Sequence, residues 1–359
     1  MPIVITDNIE RECKNLISLY QDRDYIQKAL LQHYPNLSSK KLKTVSEDVK
    51  SYIIQALDFL KETDDSIKTA PLNLFYSIMN FAKAIYSIHY PNLTLASGHG
   101  LTINKATADG AKELGYVSVS VDASGTFKGL IQVVGDKIED GNVFSCKEVF
   151  SIIPELIEAY ALRYFEEPRV YLMRAYKDQS YRYDLIFQTD NAADGIHNNF
   201  SLPGTKGLLA DICGSSCMVC CSEACTKENF DGVTYSDVHG NRYLTIGLSN
   251  GTEPVKISKI VALYLSYFMF SMLARYYPEE WMRLCNGADS AIISKLVIDM
   301  RREMLVEVLQ LLSVKEYIFE SKLQIVESEM DPHELWELIK KEMLREKKRS
   351  GRNPLNFLE

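Results

Sequence analysis

The most informative segment of the chain is residues 71–86, which read PLNLFYSIMNFAKAIY. If these residues form a helix, apolar side chains cover nearly all of its faces, and Pro71 stands where a first helical turn accepts proline. A helix that is apolar on every face is buried on every side. We therefore expect a central helix here, with the rest of the fold packed around it.

Helical patterns continue on both sides of this segment. Before it, Asp7 is a candidate N-cap for a first helix, and apolar spacing predicts further helices over residues 22–31 and 49–60. After it, residues 260–273 form the most apolar run of the chain, which Arg275 closes. A membrane span needs roughly 20 such residues. We predict a second buried helix and no membrane insertion.

The middle of the chain changes to the period of two that is typical of strands. Residues 117–121 alternate valine with serine, and we expect residues 127–134 to pair with them as a hairpin. We also predict a helix at 148–165 and two more hairpins, which join 170–176 with 181–187 and 233–235 with 243–248. The order of helices, strands and helices predicts a helix-rich α+β fold without an internal repeat.

The bulk properties are those of an ordinary globular protein. The 359 residues are 46% hydrophobic and 25% charged, with a net charge of −8. This negative charge gives no general attraction to nucleic acid. The first residues, MPIVITD, lack the basic and apolar regions of a signal peptide. We expect a cytoplasmic protein whose cysteines stay reduced.

Five of the eight cysteines crowd into one short segment: Cys213, Cys217, Cys220, Cys221 and Cys225. Small residues surround them, so close packing of free cysteines is the favoured interpretation. Zinc and redox chemistry are the alternatives. On a strand, every fourth residue would lie about 13 Å from the last, too far to share one ion. On a helix, three of the cysteines would share a face, and His239 could supply a fourth ligand.

The spacing of Cys213, Cys217 and Cys220 resembles the cluster loop of radical SAM enzymes. That loop normally follows the first strand of a large α/β barrel, whereas this one follows a helical half. The chain also has no GxxxxGK[ST], GxGxxG or HExxH motif. We expect no cofactor, and zinc remains the one alternative.

Three segments together resemble the YaaC-like family of bacterial proteins. They are the central helix, the His99-Gly100 turn, and residues 268–276, FMFSMLARY, with Trp281 shortly after. The resemblance spans roughly residues 20–320 in the same order. It implies an architecture more than a chemistry, because the family is itself poorly characterised.

The central helix also resembles the tyrosine-alanine-lysine helix of HEPN domains, which are helical bundles and often ribonucleases or nucleotide-binding partners in antiviral systems. Their catalytic signature is an arginine five to seven positions before a histidine, and none of the six histidines here has one. With this resemblance, we divide the chain into four regions. They are a HEPN-like helical region (1–110), a strand-rich middle with the cysteines (111–255), C-terminal helices (256–330) and an amphipathic tail (331–359).

Lys83, His99 and Arg275 are the candidate catalytic or anion-binding residues. The structural alternative is a snorkelling lysine, a histidine that bonds a turn, and an arginine that bonds the end of its helix. Arg275 could also form a ligand pocket with Tyr276 and Trp281, since arginine and aromatic rings together bind phosphates and bases.

The tail predicts a further helix. Asp331-Pro332-His333-Glu334 has the composition of a helix start. An apolar stripe and a basic face follow, and the predicted partner-binding residues are Leu335, Trp336, Leu338, Ile339 and Met343. The stripe could pack on its own domain or dock a partner protein.

These observations favour a non-enzymatic binding or scaffold subunit of a cytoplasmic bacterial complex. An antiviral or stress-response role is implied by resemblance alone. The alternative is an enzyme that acts on RNA or a nucleotide through Lys83, His99 and Arg275.

Overall fold

The structure is a computed structural model. It describes residues 3–63, 66–175, 182–186, 208–213, 216–221, 234–237, 241–245, 248–249, 254–255, 257–315 and 317–320.

The N-terminal part is one short strand followed by four helices: β1 (Ile3–Ile5), α1 (Ile9–Ser18), α2 (Arg23–His33), α3 (Ser39–Lys61) and α4 (Ala70–His89). The predicted central helix is confirmed as α4, which is buried along most of its length. The predicted cap of α1 is wrong by one residue. Asn8, not Asp7, accepts the hydrogen bond from the backbone N–H of Arg11.

A small sheet and four helices follow: β2 (Leu101–Ile103), α5 (Lys105–Ala108), β3 (Ser118–Val121), α6 (Thr126–Val134), β4 (Val143–Ser145), α7 (Cys146–Phe150) and α8 (Ile157–Tyr164). β3 lies between β2 and β4, antiparallel to both, so this sheet crosses the boundary predicted at residue 110.

The hairpin predicted from residues 117–134 is wrong in its second half. Residues 126–134 form the helix α6 rather than a strand. Phe127, Leu130 and Ile131 recur at helical spacing, and all three are buried. A helix buries them together, whereas a strand would turn Leu130 away from the other two.

The described residues in the middle of the chain form eight strands: β5 (Val170–Ala175), β6 (Arg182–Ile186), β7 (Leu208–Cys213), β8 (Ser216–Cys221), β9 (Thr234–Ser236), β10 (Arg242–Thr245), β11 (Leu248–Ser249) and β12 (Pro254–Val255). Six of them form an antiparallel sheet in the order β7-β8-β6-β5-β10-β9. The predicted pairings of β5 with β6 and of β9 with β10 are confirmed.

The C-terminal part is helical up to residue 313: α9 (Lys259–Tyr276), α10 (Pro278–Cys285), α11 (Ser290–Ser294) and α12 (Met300–Ser313), with β13 (Ile318–Glu320) at the end. β13 pairs in parallel with β1, so Ile3 lies opposite Ile318. In the described ranges no single helix has the length and apolar composition of a membrane span, although α9 and α10, bent by 120°, meet those limits together.

The core forms around α4 and α9. The Phe75 ring on α4 packs edge-on against Tyr264 and Phe268 on α9, with centroid distances of 5.6 and 5.3 Å. One large cluster of buried apolar residues has members from Cys13 to Phe319, and Ile157 and Val170 belong to a small separate one. The architecture is helix-rich α+β, as predicted.

A short internal repeat, which the sequence interpretation missed, ends two of the helices. Residues 33–38 read HYPNLS and residues 89–94 read HYPNLT. The capping tyrosines have nearly the same backbone angles, with φ −129° and ψ 69° at Tyr34 and φ −130° and ψ 61° at Tyr90. The two turns are neighbours, because the Tyr34 hydroxyl donates a hydrogen bond to the backbone oxygen of His89.

Candidate functional site

Lys83 lies on the one face of α4 that is not fully buried. Tyr76 and Lys83 are two helical turns apart and therefore share this face. The Lys83 Nζ atom lies 5.7 Å from the centroid of the Tyr52 ring on α3. Burial lowers the pKa of Lys83. Among the described residues, no carboxylate forms an ion pair with its amine.

His99 is presented by a loop that two other segments hold in place. Gly98 and Gly100 flank it with φ values of 96° and 83°, in the left-handed region that favours glycine. The backbone oxygen of His99 accepts hydrogen bonds from the Phe127 N–H at 2.9 Å and from the Tyr264 hydroxyl at 3.1 Å. These bonds fix the loop against α6 and α9.

The loop also passes very close to the start of α6. A Cβ atom on Gly125 would lie 2.4 Å from the backbone nitrogen of Gly100, and φ at Gly125 is 119°. Only glycine satisfies both conditions. The position of His99 therefore depends on a glycine that lies 26 residues further along the chain.

The His99 imidazole lies against two aromatic rings of the core. Its centroid is 5.6 Å from that of Phe75 and 5.8 Å from that of Phe268. Its Nδ1 atom is buried and has no hydrogen-bond partner in the described part of the chain. Burial lowers the pKa of His99, and Arg275 and Lys83 lower it further, against an opposing effect of Asp122. The ring is therefore neutral at pH 7.

Arg275 lies in the last turn of α9 and bonds neutral partners. Its guanidinium donates hydrogen bonds to the hydroxyls of Tyr76, at 3.2 Å, and Tyr276, at 2.9 Å. It also lies 4.8 Å from the centroid of the Tyr276 ring. Both Arg275 and Tyr276 are exposed. Arg275 and Tyr276 are thus in contact with each other, and no described carboxylate pairs with the arginine.

The structure brings the three predicted candidates together. The Phe75 ring contacts both the His99 imidazole and the neighbouring Tyr76 ring, and the Tyr76 hydroxyl accepts a hydrogen bond from Arg275. Besides burial, the charges of Arg275 and Lys83 both lower the pKa of His99. We call Lys83, His99 and Arg275 the cation cluster. Among the described residues, the charge of Asp122 opposes this lowering of the His99 pKa, and its carboxylate accepts a hydrogen bond from the Thr102 hydroxyl at 2.9 Å. Lys83 and Arg275 thus both influence His99, and neither forms an ion pair with a carboxylate among the described residues.

Three polar residues around the cluster escaped the sequence interpretation. Tyr52 and Tyr76 contact its cations, as described above. Asn80 is 2% exposed, and its side chain donates to the backbone oxygen of Tyr76, while its Oδ1 atom has no partner in the described ranges. A buried amide in an otherwise apolar helix is a signal that the sequence did contain.

Trp281 does not join this surface. It is 2% exposed, and its indole N–H donates to the backbone oxygen of Lys68 at 3.0 Å. Its ring packs 5.3 Å from Phe270. The structure thus places Trp281 in the core, apart from the exposed pair of Arg275 and Tyr276.

The cysteine segment is a β-hairpin. Cys213 ends β7, and Cys217, Cys220 and Cys221 lie on β8, in antiparallel register with β7. The helical alternative, which placed three cysteines on one face, is wrong because the backbone is extended. Cys225 and His239 lie outside the described residues. The described part of the chain contains no metal-binding group of three or more His, Cys, Asp or Glu residues, and zinc binding stays a prediction.

The cysteines outside this segment are packing residues. Cys13, Cys146 and Cys285 are free and buried. Burial raises the pKa of Cys13 and of Cys285 to about 12. Both are therefore thiols at neutral pH, and a thiol is a weak nucleophile.

A serine-hydrolase pattern, GLSNG at residues 247–251, was overlooked in the sequence. In that motif the serine occupies a sharp turn between a strand and a helix. Here Ser249 lies within β11 and opposite Pro254 of β12. The structural setting of the motif is therefore not the one that makes the serine a nucleophile.

The predicted partner-binding tail lies outside the described residues. This applies to the whole apolar stripe: Leu335, Trp336, Leu338, Ile339 and Met343. Its interaction with a partner stays a prediction.

Most of this architecture matches the model of one known protein family. The model of a protein family described as YaaC-like Protein matches residues 18–312. No curated protein and no solved structure matches the chain. The matched residues run from the end of α1 to the last turn of α12, and they include the entire cation cluster.

Proposed function

The chain belongs to the YaaC-like protein family, and from this premise we propose that it is a non-enzymatic binding subunit of a cytoplasmic bacterial complex, with a ligand that carries phosphate. The cation cluster is the observation that supports this proposal. Like charges held together raise the local potential, so the free energy falls when an anion binds beside them. Guanidinium and ammonium groups are the usual protein ligands of phosphate.

The rings around the cluster suggest what the phosphate is attached to. Tyr276 is 56% exposed and stacks on Arg275, and Tyr76 bonds the same guanidinium. Exposed aromatic rings beside cations bind nucleobases by stacking. We propose a nucleotide, or the end of a nucleic acid, as the ligand.

A HEPN-like character of residues 1–110 belongs to the same proposal. It is supported by the close packing of α3 on α4, where the Ser77 hydroxyl donates to the backbone oxygen of Ala56 at 2.9 Å. It is also supported by Tyr76, Ala82 and Lys83 on the central helix. In this proposal the bundle retains a nucleotide-binding surface without the arginine–histidine signature of the ribonucleases.

Calorimetry with ADP as the probe tests the site. We expect Lys83→Met and Arg275→Gln each to weaken binding about tenfold or more, because each removes a charge-assisted contact worth about 1.5–3 kcal/mol. Lys40→Met is the matched control, since Lys40 is exposed at the start of α3. If both cluster variants bind ADP as tightly as the parent, or if the parent does not bind at millimolar ADP, the proposal fails.

An enzyme that acts on RNA or a nucleotide is the second candidate, and His99 is the observation that favours it. A neutral imidazole with an unbonded Nδ1 atom can accept a proton from an attacking hydroxyl. In this case His99→Asn abolishes the cleavage of a short RNA or of ADP and leaves the melting temperature unchanged. Activity that survives in the variant rules out His99 as the base.

The scaffold part of the proposal rests on the tail. We expect a stoichiometric protein partner in native mass spectrometry of the complex from its host, and loss of that partner when residues 331–359 are deleted. The control is a Lys340→Ala/Lys341→Ala variant, which alters the basic face but not the apolar stripe. Retention of the partner by the deletion variant would contradict the assignment. We propose antiviral defence or stress response as the setting, which a phage-challenge assay of the deletion strain tests.

A further inference from the structure

His99 is the one member of the cation cluster whose charge changes near neutral pH. An unperturbed histidine titrates near pH 6.5, whereas arginine and lysine stay charged there. Its backbone oxygen is bonded from two directions, and its ring rests on Phe75 and Phe268. The imidazole is therefore held in place, with a buried Nδ1 atom that has no hydrogen-bond partner in the described ranges.

We propose that the cation cluster binds a phosphate-type dianion together with one proton, which His99 accepts from solvent as the anion arrives. This inference rests on the anion-binding function proposed above and concerns the regulation of the same site. The balance is one protein, one dianion and one solvent proton, which give one complex with a protonated imidazole.

The electrostatic reason is a change in sign of the field at the ring. Without a ligand, burial disfavours the imidazolium of His99 most, and the charges of Arg275 on α9 and Lys83 on α4 disfavour it further. Asp122, at the end of β3, is the opposing charge, and it already accepts the Thr102 hydroxyl. A dianion beside the two cations replaces repulsion with attraction, so the imidazolium becomes the stable form.

Proton uptake makes the affinity depend on pH. The dianion affinity falls about tenfold for each unit that the pH rises, across the range between the pKa of His99 in the free protein and its pKa in the complex. The site therefore releases its ligand as the pH rises and holds it more tightly as the pH falls.

Calorimetry with inorganic sulfate tests this inference. Sulfate stays a dianion throughout the neutral range, so protons taken up on binding come to the protein and not to the probe. We titrate the full chain with sulfate at pH 7 in two buffers of different ionisation enthalpy, Tris and PIPES. The difference in the observed heats gives the number of protons taken up, and we expect a value between about one half and one.

Two variants locate the proton. His99→Asn should bind sulfate more weakly, with heats that no longer depend on the buffer. His33→Asn is the matched control, because His33 is an exposed histidine at the end of α2, and it should keep the proton uptake of the parent. If His99→Asn does not fold, an NMR titration of the parent replaces it, and the pKa of the His99 imidazole should rise when sulfate is added.

Each outcome separates this inference from the proposed function. If neither sulfate nor phosphate binds at millimolar concentration, the anion-binding function falls, and this inference with it. If sulfate binds with heats that are equal in both buffers, or with uptake that persists in His99→Asn, only the inference falls. If phosphate binds and sulfate does not, the ligand brings its own proton and the role of His99 is overturned.

Discussion

Helix α9 carries two groups of charged residues, one at each end, and they differ in how their charges are compensated. At its first residue, Lys259 is 1% exposed, and its Nζ atom lies 2.9 Å from Glu155 and 3.1 Å from Glu303. At its last turn, Arg275 is exposed and bonds two tyrosine hydroxyls. The Lys259 network finds its counter-charges within the chain, whereas the cation cluster forms no ion pair with any carboxylate in the part of the chain that the structure describes.

This difference separates a structural group from a binding group. A buried charge without a partner costs several kcal/mol, so the Lys259 network must be complete for the fold to be stable. The cations at the other end remain partly hydrated and need no internal partner to fold. They therefore remain available to bind an anion from outside the molecule.

The largest expected effect comes from breaking the Lys259 network. Lys259→Met leaves Glu155, Glu303 and Glu307 without their shared cation, and we expect the free energy of unfolding to fall by about 3–5 kcal/mol at pH 8. Urea unfolding measures it. The loss should shrink as the pH falls towards 5, because burial raises the pKa of Glu155 and of Glu307 and their neutral carboxyls need the cation less. A loss below about 1 kcal/mol at pH 8 would show that the network is not structural.

The next largest effect comes from the glycine that positions His99. Gly125→Ala places a Cβ atom 2.4 Å from the backbone nitrogen of Gly100, on a residue whose φ is 119°. We expect the free energy of unfolding to fall by about 2–4 kcal/mol and sulfate binding to weaken. Gly110→Ala is the control: its φ is also positive, at 64°, but nothing lies within 4 Å. It should cost only about 1 kcal/mol and leave binding intact. Equal losses in the two variants would exclude the close approach as the cause.

The pH dependence of stability should have opposite signs in the two groups. Burial raises the pKa of Glu155 and of Glu307 above 4.5. The folded state thus keeps protons that the unfolded state has lost, and stability falls as the pH rises from 4.5 through the folded pKa values. The pKa of His99 is lowered below 6.5, so its contribution is present above pH 6.5 and is lost as the pH falls.

Urea unfolding between pH 4.5 and 8 measures both signs. Glu307→Gln should reduce the decrease in the free energy of unfolding that occurs as the pH rises. His99→Asn should remove the opposing increase in the free energy of unfolding, which occurs as the pH rises from the lowered pKa of His99 to pH 6.5. A Glu307→Gln curve parallel to that of the parent would show that this carboxyl does not titrate differently in the folded state.

The smallest expected effect on stability is at the cation cluster itself. Lys83→Met should change the free energy of unfolding by no more than about 1 kcal/mol, because the amine lies over one aromatic ring and, within the described ranges, pairs with no carboxylate. The same variant should lose the increase in melting temperature that sulfate gives the parent, since a ligand stabilises only the state that binds it. A loss of several kcal/mol would instead make Lys83 a structural residue.

The two buried helices could be predicted from sequence because their signal is local. Residues 71–86 and 260–273 are apolar on nearly every face, and no tertiary information is needed to infer their burial. The same approach failed at residues 127–134, where valines and the preceding strand suggested a hairpin. The helical spacing of Phe127, Leu130 and Ile131 was present in the sequence. The alternating residues 117–121 and the turn that follows them were nevertheless interpreted as the first half of a hairpin.

The cation cluster could be proposed as three residues but not as a site. Arg275 and Tyr76 are 199 residues apart in sequence, and their contact depends on how α4 crosses α9. The unbonded Nδ1 atom of His99 and the partners of Lys259 are equally non-local. Periodicity predicts which face of an element is buried, but it does not predict which two faces meet.

The pairing of β1 with β13 has a consequence for synthesis on the ribosome. Tyr20 donates to the backbone oxygen of Leu312, and His89 bonds that of Leu311, so the first helices find their partners only in the last. At roughly 5–20 residues per second, translation separates these partners by some tens of seconds. During that interval α3 can cover one side of α4, but the side that carries Phe75 waits for α9. A nascent chain with such an uncovered apolar surface is prone to aggregate, which is the hazard that chaperones counter.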